Sequence, residues 1–135
     1  MTAMILALAL PMLVFVGATP AVAAAPTLEI SSVTLVAKGA GVRLDFVVDC
    51  DEDASGELRA TITQAVGNRI AYGSVPQYRT WTCTGQTQPL SAVIPADVAG
   101  VPFRTGEALL LARISACPGA NCENATAEQV VQIVR

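Results

Sequence analysis

The chain has 135 residues, eight of them Lys or Arg and eleven Asp or Glu, giving a formal charge of −3 with no histidine at all. A weakly acidic balance excludes an ordinary nucleic-acid binder, which needs clustered cations against phosphate. The missing histidine removes the commonest general base, and with it Ser-His-Asp and Cys-His catalysis.

In chain order the first element is MTAMILALALPMLVFVGATPAVAAA. It carries no charged side chain, holds an apolar run from Ala3 to Val16 and ends in small residues. That layout predicts a secretory signal peptide over residues 1–24, with Val22 and Ala24 at the small-residue positions before cleavage. The competing reading, a retained membrane anchor, meets a core shorter than the ~20 residues of a spanning helix, interrupted by Pro11 and Pro20. The expectation is a secreted protein, free of the membrane once the signal is removed, with residues 25–135 forming one domain.

Strict alternation then dominates and predicts strands. TLEISSVTLVA places Leu28 and Ile30 in phase but changes phase at Ser31-Ser32, as a bulge or a strand moving between sheets would. In VRLDFVVDC, residues Val42, Leu44, Phe46, Val48 and Cys50 share one face, with Arg43, Asp45 and Asp49 on the other. GELRATITQA turns Leu58, Ala60 and Ile62 inward. NRIAYGS, YRTWTCT, PLSAVI, EALLLARISAC and EQVVQIVR complete the series, with at most a helical turn over Ala96 to Gly100. Glycine-rich and proline-rich punctuation falls between these runs. Seven to eight short strands without helical periodicity predict an antiparallel β-sandwich.

Four cysteines, Cys50, Cys83, Cys117 and Cys122, come after the leader. An even count in a small exported domain predicts two disulfides, for which three connectivities exist. Cys50–Cys83 with Cys117–Cys122 is favoured, because CPGANC is a short loop able to close on itself. Zinc is the rival reading, opposed by the absence of histidine and by thiols not grouped as two close pairs. In YRTWTC, Trp81 and Cys83 are two apart and share a face, as in an immunoglobulin-like core where an aromatic ring lies beside the bridge. Antibody domains place Trp after the first cysteine and Tyr two before the second; here Trp81 holds that latter position.

The stretches TQAVGNRIAYGS, WTCTGQTQ, FRTGEALLLARISAC and AEQVVQIVR resemble small Ig-like proteins exported by high-GC Gram-positive bacteria. The resemblance spans nearly all of residues 25–135 and implies an Ig-like sandwich without bringing an activity. A shorter likeness, resting on AAPT after the leader and on the Cys-x4-Cys loop from Cys117 to Cys122, is to the neocarzinostatin-type apoproteins. It implies carriage of an apolar small molecule.

Candidate chemistry is sparse. Five acids lie between Asp49 and Glu57 in DCDEDASGE. An EF-hand counted from Asp49 would need Gly at its sixth position and Glu at its twelfth, where Ala54 and Ala60 stand. The expectation is a solvated turn, with no metal and no cofactor. No Ser-x-x-Lys precedes the single Lys38, since position 35 is Leu, and no Gly-x-Ser-x-Gly elbow occurs. Carboxylates alone could serve a glycosidase, but one Trp and two Tyr offer little stacking surface. Asn124-Ala125-Thr126 matches a glycosylation acceptor. The residue types enriched at binding hot spots gather in one stretch, at Tyr72, Tyr78, Arg79 and Trp81, against the alternative that Trp81 packs on a disulfide.

The sequence therefore predicts a non-enzymatic secreted binding or structural module. Its partner would be an extracellular protein or a small ligand that the residues do not identify. The alternatives are a carrier of an apolar small molecule and a secreted protease inhibitor.

Overall fold

The computed structural model describes residues 17, 24–76 and 79–135. Apart from Gly17 and Ala24, the leader expected over 1–24 lies outside the described residues. The described residues from 25 onward are all-β, in eight strands: β1 Thr27–Val36, β2 Gly41–Asp49, β3 Ser55–Val66, β4 Arg69–Ser74, β5 Arg79–Thr82, β6 Gln88–Pro95, β7 Gly106–Cys117 and β8 Glu123–Val134. They form a curled sheet in the order β4-β3-β7-β8-β1-β2-β6, with β5 continuing the β4 edge along β3. One layer is β6-β2-β1; the other is β5 and β4, then β3, β7 and β8.

Alternation decides which side of each strand meets the other layer. Val42, Leu44, Phe46 and Val48 of β2 are all buried, as are Leu58, Ala60 and Ile62 of β3 and Ala108, Leu110, Ala112, Ile114 and Ala116 of β7. A side chain of the Leu or Phe class contributes roughly 1.5–3 kcal/mol on full burial, so these three strands supply most of the hydrophobic driving force. Phe103, from the loop before β7, adds a large ring to the same core.

The two layers meet differently on their two sides. On one side β1 and β8 pair in parallel, at Val33↔Ile133 and Thr34↔Val134; every other ladder among the described residues is antiparallel. On the other side a single bridge joins Gly73 of β4 to Ala96 beyond β6. A Cβ on Gly73 would collide with the Pro95 carbonyl, so the close crossing of those chains requires glycine.

The phase change at Ser31-Ser32 is a β-bulge. Ile30 faces Phe46 and Ser32 faces Asp45, so Ser31 is the extra residue. The bulge moves burial from the Leu28 and Ile30 parity to that of Val33 and Leu35. Ser32 Oγ donates to Asp45 Oδ2 at 2.9 Å across the ladder. Residues 96–100 make one tight turn, in which the amides of Ala99 and Gly100 donate to the side chain and carbonyl of Asp97.

Both disulfides join the pairs expected. Cys50–Cys83 has a Cα–Cα distance of 5.6 Å and ties the end of β2 to the end of β5, linking the two layers. Cys117–Cys122 closes the β7–β8 loop. No free cysteine occurs among the described residues.

Candidate functional site

Of the stretch singled out for binding, Tyr78 lies outside the described residues. Trp81 is half-buried and packs against the core rather than projecting from it. Its ring meets Phe46 edge-on with centroids 6.2 Å apart. It also lies flat over Gly56, its cross-strand partner, where any Cβ would enter the indole. Its Nε1 is buried with no hydrogen-bond partner among the described residues. Arg79 stands two residues earlier on the same face of β5 but is exposed. Tyr72 projects from the opposite, outer face of the sheet, because it pairs with the outward Thr63. The fold therefore separates Tyr72 from Arg79 and Trp81.

The acidic turn is a clasp on the first disulfide. Asp53 adopts a left-handed conformation (φ 63°) and its amide donates to the Cys83 carbonyl at 3.0 Å. The Cys83 amide donates back to the Ala54 carbonyl at 2.9 Å, with Ala54 fully buried between them. Among the described residues no three His, Cys, Asp or Glu side chains gather in a metal-binding group.

The outer face of β4-β3-β7-β8 has a different character. Register places Tyr72, Thr63, Leu109 and Val130 in one row across four strands. The next row along contains Ser74, Thr61, Leu111 and Glu128, and Ile70 flanks Tyr72 on β4. Ile70, Leu109, Leu111 and Val130 are each about half exposed or more, Val130 reaching 65%. Large apolar side chains scattered singly are ordinary on a surface; aligned in adjacent rows they form a patch. One row further on, Arg59 faces Arg113 across the β3–β7 ladder. Arg59 bonds Glu57 at 3.0 Å, while no salt bridge engages Arg113 among the described residues.

Strand parity makes this face legible in the sequence. In EALLLARISAC the outward positions hold Leu109 and Leu111, where a strand with one solvated side carries polar residues. Gln64 is also legible, as a polar residue in the inward phase of Leu58, Ala60 and Ile62. It is buried, and its side-chain amide makes two 2.8 Å bonds with the backbone of Arg104, one in each direction.

No protein-family model matches the chain, and no curated protein matches it. Among solved structures it is similar to the solution structure of CsgH from R. palustris, at 15% identity over 76% of this chain and 91% of that one, with a TM-score of 0.41. It is also similar to the solution structure of a late embryogenesis abundant (LEA) protein, at 12% identity over 81% and 71% of the two chains, with a TM-score of 0.43. Both are likenesses of backbone path. No helix among the described residues is long and apolar enough to cross a membrane.

Proposed function

We propose that this chain is a non-enzymatic secreted module that binds an extracellular protein through the outer face of β4-β3-β7-β8. The observation that carries the reading is the aligned row of Tyr72, Thr63, Leu109 and Val130, lying over a well-filled core. An apolar row with Glu128 and Arg113 beyond it fits a partner with an apolar centre and a charged rim, in the arrangement of an interface core and its polar margin. Two disulfides support an oxidising compartment, extracellular or periplasmic. The carrier alternative has less support, because Phe46, Leu44, Leu58, Ile62, Ile94 and Leu110 occupy the space between the layers.

The test uses the intact protein as bait in native culture supernatant, beside Leu109→Ser/Val130→Ser and a blank resin. A protein enriched by the wild type and lost with the double variant supports the reading. Identical capture by both baits, or nothing above the blank, refutes it.

A further inference from the structure

At the end of the sandwich where β1 finishes and β7 begins lies a cavity of about 610 Å³, bounded by Leu35, Lys38, Pro102, Phe103, Arg104, Thr105 and Arg135. Three of the chain's eight cationic side chains meet there, and no Asp or Glu side chain lines the space. None of the three makes an ion pair among the described residues. Bringing like charges together opposes folding unless something offsets it.

The scaffold beneath these cations is firmly built. Lys38 sits in a short turn over Ala37–Gly39 in which Ala37 and Lys38 both have positive φ, 47° and 57°. Two consecutive non-glycine residues in that region store strain, and strain of this kind collects at ligand sites. The Phe103 amide donates to the Gly39 carbonyl at 2.9 Å, stitching the Lys38 turn to the Arg104 loop. A Cβ on Gly39 would strike the Phe103 carbonyl, so this approach depends on glycine. The buried Gln64 amide then fixes Arg104, a lining residue of the cavity, through its backbone N–H and carbonyl. Arg135 arrives from β8, whose Ile133 pairs with Gly106.

We propose that this cavity binds a small organic phosphate, a dianionic head on an apolar body. Two guanidinium forks and one ammonium suit a group with three acceptor oxygens better than a monovalent carboxylate. The Thr105 hydroxyl adds a neutral donor, and Leu35, Pro102 and Phe103 offer an apolar wall to the rest of the molecule. The volume is that of a small-molecule site. None of these residues belongs to the outer face proposed for protein binding, so the two proposals stand or fall separately.

The probes are phenyl phosphate, inorganic phosphate and phenol, titrated at low ionic strength into the full domain while backbone amide resonances are followed. Phenyl phosphate is expected to shift the amides of residues 37–40, 103–105 and 133–135 saturably. Inorganic phosphate should act at the same amides more weakly, and phenol should leave them unmoved. Lys38→Asn/Arg104→Gln should weaken phenyl phosphate by about tenfold per cation removed, with an unchanged melting temperature. Asn tolerates the left-handed conformation at position 38, and the Arg104 backbone keeps its bonds to Gln64. The proposal is overturned by the absence of saturable shifts at these amides, by equal affinity in the double variant, or by shifts spread over the remaining arginines. An equal response to inorganic phosphate leaves a bare anion site and overturns the assignment to an organic phosphate.

Discussion

Replacing Cys50 and Cys83 by alanine should destabilise the domain more than replacing Cys117 and Cys122. The bridges span sequence separations of 33 and 5. The chain-entropy relation converts these to roughly 3.7 and 2.1 kcal/mol of lost constraint on the unfolded chain, a gap of about 1.7 kcal/mol. Packing widens the gap. Cys50 and Cys83 are buried in the core, so losing their sulfurs opens space there, whereas Cys122 is exposed and leaves no cavity. The acidic turn adds to it, since the two main-chain bonds between residues 53–54 and Cys83 lose the anchor that holds them together. Urea unfolding followed by the fluorescence of Trp81 measures the difference. With a slope of about 1.5 kcal/mol per molar, the two double variants should separate by at least about 1 M in midpoint. Equal midpoints, or a lower one for Cys117→Ala/Cys122→Ala, would refute the view that the inter-layer bridge is the principal covalent brace.

Gly56→Ala should cost about 1–3 kcal/mol, because its methyl group enters the space of the Trp81 ring although the backbone there suits alanine; thermal melts measure it, and an unchanged melting temperature would show that the ring is not held over Gly56. Gln64→Leu should cost roughly 2 kcal/mol or more, since it strips both partners from the Arg104 backbone while keeping side-chain volume; urea unfolding reads this, and a neutral result would mean water replaces the amide. Millimolar calcium should leave the melting temperature unchanged, whereas binding to the native state would raise it by RT ln(1 + [Ca]/Kd); a rise abolished by Asp51→Asn/Asp53→Asn would reveal a metal site in the acidic turn.

Local pattern carries the strands, the bulge and the bridges. Period-two alternation from Val42 to Cys50 is enforced because one residue of slip would expose every core side chain, so it can be read without a partner strand. The break at Ser31-Ser32 is legible for the same reason. Pairing across the fold leaves no such trace. Nothing near Val33 announces that it lies beside Ile133, in a parallel ladder between otherwise antiparallel neighbours. Tyr72 and Trp81 are close in sequence, which suggests neighbours on one surface. They face opposite ways because the short β4 and β5 pair with different parts of β3, at Thr63 and Gly56. The cation-lined cavity is hidden from the sequence for a related reason: Lys38, Arg104 and Arg135 come from three distant segments that meet only once the layers have closed.

The parallel seam between β1 and β8 also sets how the domain bears mechanical load. Because the two strands run alongside in the same direction, the chain enters at one end of the seam and leaves at the other. Tension between Thr27 and Val134 therefore slides the strands past each other, loading the paired positions together rather than peeling them singly. Once the seam has yielded, extension meets a covalent stop. The Cys50–Cys83 bridge withholds the chain between its ends, roughly 110 Å of contour at about 3.3–3.6 Å per residue, from any pull. Tethered between two surfaces, such a domain would act as a short tether whose reach is capped while its disulfide is intact.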